Sequence, residues 1–489
     1  MTSTPAETTR NDTSEADEWI STHKESINER YRLGYHLMPP VGWMNDPNGL
    51  VYFKGLYHAF YQHHPYTSEW GPMHWGHATS TDMVHWVDRP VALAPGDGSD
   101  RDGCYSGSAV VEGDTLNLIY TGQIFNTGDI EPFNSDFSES QNLAISRDGT
   151  HFEKYAGNPV IPGPPSDNTQ NFRDPKVWKH NDTWYVVIGS TSAEDDARAL
   201  LYSSPDLHTW QLEGNLAQSD HKIGNMWECP DFFELDGMHI LMMSPVGLEA
   251  DGHRYRNVFQ SGYIAGDFDY QTLQLTHGDF EELDRGHDFY APQTFEAPDG
   301  RRICFGWMNM WLTPMPEQKD GWAGAFTLPR ELKYVDGKVT MTPVKELESL
   351  RGSVLTDCER SVTNGDVIVS PDENRFELLF SVDNLQVHAD NLGLAFDLGN
   401  GIKASFVYDS GQELLTFDRG GKDGERSWEC GTLEHLDLHI YVDNSSIEIF
   451  VNNGLATFTS RIYPTAPARV TLLSSTDSVK AGIQSYALN

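Results

Sequence analysis

Ser80-Thr81-Asp82-Met83-Val84-His85-Trp86 recurs as Ser146-Arg147-Asp148-Gly149-Thr150-His151-Phe152, and again as Ser204-Pro205-Asp206-Leu207-His208-Thr209-Trp210. The copies start 66 and 58 residues apart, and each follows a strand-like apolar run. Ser and Asp at this spacing cap a tight turn, and the aromatic opens the next strand. The flanks Pro90–Pro95 and Pro159–Pro162 also match. A repeat of this size, holding several strands per unit, points to radial repetition of small sheets as in a β-propeller.

Outward from the repeat, short apolar runs alternate with Gly, Pro and Asp clusters: Leu50–Phe53, Leu56–Gln62, Ala109–Val111, Leu116–Tyr120, Lys176–Lys179, Trp184–Ile188 and Ala199–Tyr202. This spacing predicts an all-β array of hairpins. Thr342-Pro343-Val344-Lys345-Glu346-Leu347-Glu348-Ser349-Leu350 reads differently, with an N-cap residue, a Pro in the first turn and helical spacing of apolar residues. Beyond it the pattern is alternation, in Arg375–Val382, Ile402–Tyr408, His439–Val442, Ile447–Val451 and Arg469–Leu473, which suits the two faces of a β-sandwich. The expected organisation is a polar leader over residues 1–34, helical at most within Glu15–Arg30, a propeller over 35–341, a short helical linker over 342–352 and a sandwich over 353–489.

Composition narrows the function. The chain has 489 residues, with 72 Asp and Glu against 34 Lys and Arg. The resulting net charge of −38 excludes nucleic acid and anionic membrane as partners, since both need clustered bases. Aromatics at 11% suit a β-rich protein, and their flat faces also suit sugars. Five scattered cysteines, Cys104, Cys229, Cys304, Cys358 and Cys430, form no CxxC pair and suggest neither a disulfide framework nor a zinc site. The first thirty residues carry no apolar run, and Ile303–Leu312, the longest apolar stretch, is too short to span a membrane. A cytoplasmic location is expected, and with it no glycosylation of the sequons at Asn11, Asn181 and Asn444.

Three carboxylates stand in marked surroundings. Trp43-Met44-Asn45-Asp46-Pro47-Asn48-Gly49 holds Asp46 between Asn45 and Pro47, and a Pro–Asn–Gly turn is expected to re-aim the chain after it. Phe172-Arg173-Asp174-Pro175 sets an arginine beside a second Asp–Pro pair. Met226-Trp227-Glu228-Cys229-Pro230-Asp231 places Glu228 among apolar neighbours, where desolvation would raise its pKa and help it hold a proton. The histidines His58, His63, His64, His74, His77 and His85 are expected to bind no metal, because three-residue spacing in a strand does not put two of them on one face. Trp75 reads equally as a sugar platform or as core.

In order and separation, the three carboxylate motifs resemble the signatures of glycoside hydrolase family 32, the invertase, inulinase and levanase group. Tyr61-Gln62, Tyr105-Ser106-Gly107-Ser108, Asp288-Phe289-Tyr290-Ala291 and Gly306-Trp307-Met308 fit it too. The resemblance implies a five-bladed β-propeller followed by a β-sandwich. It also implies Asp46 as nucleophile, Glu228 as general acid/base and Asp174 as transition-state stabiliser. Asn45, Gln62, Trp70, Tyr105, Ser106, Arg173, Tyr290 and Trp307 match its fructose pocket.

Retaining chemistry of this kind needs two carboxyls about 5 Å apart and no metal or organic cofactor. The expected substrates are sucrose and short fructo-oligosaccharides. Rival readings are a sucrose-6-phosphate hydrolase, a fructosyltransferase and a non-catalytic fructan-binding propeller. The acidic stretch Asn126–Glu139 is expected either to border the substrate entrance or to be a solvated loop. Exposed sandwich strands are compatible with a homo-oligomer.

Overall fold

The computed structural model describes residues 11–489 except 97, 132–135, 386–390 and 422–423. The alternating apolar runs named above lie in strands, apart from the first residues Arg375 and Ile402, and Ile303–Leu312 leaves its strand after Trp307. Between Gly42 and Pro343 the strands form five separate sheets in chain order. Their leading strands are Gly42–Phe53, Gly103–Glu112, Asn168–His180, Met226–Leu235 and Tyr290–Glu296. Each leading strand packs against the next, and Tyr290–Glu296 returns to Gly42–Phe53. The short strand Trp322–Ala323, which follows the second strand of the fifth sheet, pairs parallel with the Gly42–Trp43 edge of the first.

The repeat that opened the sequence marks one turn, the link between third and fourth strands in the first three sheets. Asp82 Oδ1 accepts from the amides of Val84 and His85, Asp148 Oδ1 from Thr150 and His151, and Asp206 Oδ1 from His208 and Thr209. The residue after each Asp, Met83, Gly149 and Leu207, has φ of 66°, 77° and 66°. The caps hold a left-handed residue that an unassisted side chain would avoid.

Residues 351–488 form two six-stranded sheets, and the alternating side chains between them make one apolar core that includes Phe376, Phe406, Ile449 and Leu472. This is the layering expected of a sandwich. The expected helical link takes another form. Thr342 and Pro343 end a strand paired with Glu331 and Arg330, so their backbone cannot cap a helix, and only a 3-10 turn, Lys345–Leu350, follows. Leu347 and Leu350 of that turn bury against Tyr441, Phe450 and Leu488. In the leader, Ser14–His23 is an α-helix, residues 1–10 lie outside the described residues, and Asn11 bonds to Ala92 and Phe152 carbonyls.

Candidate active site

The leading strands share a defect. Pairing with the neighbouring strand slips between Met44 and Pro47, Cys104 and Gly107, Arg173 and Lys176, Glu228 and Asp231, and Tyr290 and Gln293. A bulge frees residues from the ladder and re-aims their side chains. Asn45, Asp46, Tyr105, Ser106, Asp174 and Cys229 all sit inside these slips. Asp174, Cys229 and Ala291, each followed by Pro, have φ of 65°, 48° and 50°, a strain of about 1–3 kcal/mol apiece. The expected Pro–Asn–Gly turn proves to be a further slip, between Asn48 and Val51, with Gly49 at φ 54° and pairing to Leu56–His64 resumed beyond it.

Asp46 is held from three sides. Ser106 Oγ donates to Oδ2 at 2.7 Å and Asn45 Nδ2 to Oδ1 at 3.0 Å, while Cys229 Sγ lies 3.5 Å from Oδ2. Asn45 is itself oriented by Trp43 Nε1 at 2.7 Å. Asp174, 3% exposed, accepts from the Cys229 amide at 2.9 Å. Cys229 thus joins two carboxylates and is the chain neighbour of the third.

Glu228 is gripped at both oxygens, by Arg173 Nη2 at 2.7 Å and by the Tyr290 hydroxyl. Its chain neighbours do not form the apolar enclosure expected. Strand alternation buries Trp227 in the core on the other face, where its Nε1 donates to Ile223, and the Glu228 side chain stays 21% exposed.

Burial raises Asp174 to about 8; the charges of Glu228 and Asp46 add to it, and Arg173 opposes it. Asp46 is raised as well, by burial first and then by Glu228, against its bonds from Ser106 and Asn45.

A cavity of about 270 Å³ opens at this point. Of the residues expected in the site, Trp70, Tyr105, Arg173 and Glu228 line it. Gln62 is buried and donates to the Cys104 carbonyl, fixing the backbone before Tyr105. Trp307 is fully buried, its ring centroid 5.7 Å from Trp43 and 5.2 Å from Trp311, and Trp311 lines the cavity. Trp75 is core, its Nε1 bonded to the Tyr105 carbonyl.

Sequence reading missed Asn171, Phe259 and Trp311, which also line the cavity, as do Glu131 and Glu139 of the acidic stretch, on the side of the expectation that it borders the entrance. Glu139 is no solvated loop residue. It is buried on the strand Phe137–Ser146, accepts from the Phe172 amide at 2.6 Å and lies 3.4 Å from Arg173 Nη1. The one signal for it was its place in an acidic stretch whose residues 132–135 lie outside the described residues.

The histidines pair among themselves and with backbone: His58 Nδ1 with His77 Nε2 at 3.0 Å, His63 with the Trp43 carbonyl, His64 and His74 with that of Pro72. Burial lowers the pKa of each of these five. His85 instead pairs with Asp82.

Residues 36–343 match the family model for the glycosyl hydrolases family 32 N-terminal domain, and residues 346–488 match that for the family 32 C terminal. A raffinose invertase of Escherichia coli is 47% identical over 439 residues, 89% of this chain and 90% of its own length. A sucrose-6-phosphate hydrolase of Escherichia coli is 47% identical over 435 residues, 88% and 89% of the two lengths. A family 32 beta-fructofuranosidase of Bombyx mori, solved as a mutant in complex with sucrose, superposes with a TM-score of 0.89 at 39% identity, covering 98% of this chain and 99% of its own. On these matches the chain belongs to glycosyl hydrolase family 32.

Proposed function

We propose that the protein is a retaining beta-fructofuranosidase that releases terminal fructose from sucrose and short, uncharged fructo-oligosaccharides. The observation that carries the reading is the pairing of unlike carboxyls: Asp46 held by neutral donors, Glu228 held by Arg173 and Tyr290, with Asp174 between them through Cys229. Asp46 attacks the anomeric carbon while Glu228 passes its proton to the leaving oxygen, so one bond forms as the glycosidic bond breaks. In the second half Glu228 takes a proton from water, whose oxygen displaces Asp46 and releases fructose. Asp174 stabilises the charge-separated transition state through fructose hydroxyls. The five sheets are read as blades of a closed five-bladed β-propeller, supported by the cyclic order in which their leading strands touch.

A second reading, hydrolysis of sucrose 6-phosphate, is favoured by the names of several relatives. Charge at the site argues against it. Among the described residues lining the cavity, Glu131, Glu139, Asp195 and Glu228 face a single cation, Arg173, whose guanidinium is already engaged by Glu139 and Glu228. A phosphate dianion there would meet uncompensated negative charge. Initial rates on sucrose and on its 6-phosphate at equal concentration decide the matter. A higher kcat/KM for the 6-phosphate would replace the first reading with the second, and no fructose from either would remove both.

A further inference from the structure

The leading strands lie side by side but belong to separate sheets, and among the described residues no backbone ladder joins one to the next. Their spacing is therefore set by side chains. The residues two places beyond Asp46, Ser106, Asp174, Cys229 and Ala291 are Asn48, Ser108, Lys176, Asp231 and Gln293. All of these are polar, and none is more than 9% exposed. We propose that Lys176 and Asp231 are positioning residues, a buried ion pair that fixes the separation of the strands carrying Asp174, Glu228 and Tyr290. The inference rests on the fructosidase reading, which gives those three side chains their roles.

Asn48, Ser108, Lys176 and Asp231 each bond directly to a neighbouring leading strand. Across the first three strands the ties are neutral. Asn48 Oδ1 accepts from the Gly107 amide at 3.1 Å, while Ser108 Oγ donates to the Pro175 carbonyl at 2.8 Å and accepts from the Val177 amide at 3.0 Å. Across the third, fourth and fifth the tie is charged. Lys176 Nζ stands 3.0 Å from Asp231 Oδ2 and donates to the Thr294 carbonyl, and the same Oδ2 accepts from the Thr294 amide at 2.6 Å. One ion pair thus gathers three strands at a single point.

Stability does not account for a charged tie. Taking an ammonium and a carboxylate out of water costs about as much as their attraction returns, and apolar side chains of similar volume often serve stability as well. Burial lowers the pKa of Lys176, against the opposing charge of Asp231. What the pair adds is a short, directional bond. It stands where pairing resumes after the slips, with Lys176 opposite Val187 and Asp231 opposite Met242, roughly 7 Å along each strand from Asp174 and Cys229. On the site side of it the ladders are interrupted. There Glu228 meets Arg173 of the third strand and Tyr290 of the fifth, and Asp174 takes the Cys229 amide. A displacement of about 1 Å among such groups costs about 100-fold in rate.

Lys176→Met combined with Asp231→Asn keeps the volume of both side chains, leaves no buried charge alone and retains an acceptor for the Thr294 amide. The double variant is expected to keep the parent's urea midpoint and circular dichroism spectrum, while kcat on sucrose falls about tenfold or more and KM stays within about twofold. Asp231→Asn alone is expected to show the same selective loss, and it serves where the double variant fails to fold. Coupling to the site is read by adding Tyr290→Phe. The Tyr290 hydroxyl reaches Glu228 only across correctly spaced strands, so its removal is expected to cost the double variant at least about threefold less in kcat/KM than it costs the parent.

An unchanged kcat, or two effects that multiply independently, would overturn the inference. Failure of both charge variants to fold would overturn it too, by making the pair a stability element. No fructose from the unaltered enzyme would instead sink the fructosidase reading, and this inference with it.

Discussion

At the residue scale the site is a problem of like charges. Asp174, Glu139 and Glu228 share one arginine while Asp46 has only neutral donors, and the cost is visible in the raised pKa values of Asp46, Asp174 and Glu139, each due first to burial. Replacing Asp46 with Asn or Glu228 with Gln removes a group assigned a covalent or proton-transfer role. Each change is expected to lower kcat on sucrose by about 10²–10⁴ with an unchanged circular dichroism spectrum; wild-type turnover in Asp46→Asn would refute the assignment.

Glu228→Gln has a second consequence. Its charge raises both Asp46 and Asp174, so without it both carboxyls ionise at lower pH. The acid limb of residual hydrolysis, followed with a fructoside bearing a good leaving group, is expected to move to lower pH. A shift to higher pH would contradict the electrostatic account.

At the element scale, bulges do the positioning, and they need backbone room behind them. Gly324 has φ of 89°, and a Cβ on it would stand 2.0 Å from the Met44 carbonyl, at the slip that presents Asn45 and Asp46. Gly324→Ala is therefore expected to cost about 1–3 kcal/mol of stability, seen as a lower urea midpoint, and to depress kcat in the fraction that stays folded. A variant as stable and active as the parent would show that this close approach is immaterial. The recurring turns answer to the same logic at lower cost. Asp206→Ala leaves the amides of His208 and Thr209 to water at an exposed turn, and a loss of about 1 kcal/mol is expected in the same assay.

At the scale of the whole molecule, buried ion pairs join the five sheets to the sandwich. Arg330 pairs with Asp284 and with Glu448 of the sandwich, and His36 bridges Asp443 and Glu448 at 2.7 and 2.8 Å. Arg461 of the sandwich reaches Glu317 and Asn309, and its amide donates to Asp288, so the sandwich grips residues close before Tyr290 and Trp311. Burial alone would lower the pKa of His36, yet its bonds and charges with Asp443 and Glu448 outweigh that and raise it to about 9.

A histidine raised on folding contributes stability that is complete below its unfolded value near 6.5 and is lost as pH climbs towards 9. Urea midpoints are expected to fall between these limits by the equivalent of about 3 kcal/mol, and His36→Gln is expected to flatten that dependence. An unaltered slope in His36→Gln would remove this residue from the account.

The sequence alone determined the all-β class, the three capped turns, the alternation of the C-terminal strands and the three carboxylate motifs. Each is local: a period of two, an Asp two residues after a Ser, or a carboxylate fixed by the proline that follows it. Only tertiary structure decided what those residues touch. Glu228 meets Arg173 and Tyr290 rather than its apolar chain neighbours, because alternation sends Trp227 to the opposite face. Glu139 enters the site and Trp75 becomes core, each through a partner far away in the chain, and Thr342 ends a strand instead of capping a helix because it pairs across a hairpin with Glu331. Such pairings depend on which strand lies alongside and where its register slips, and neither propensity nor motif spacing encodes a register.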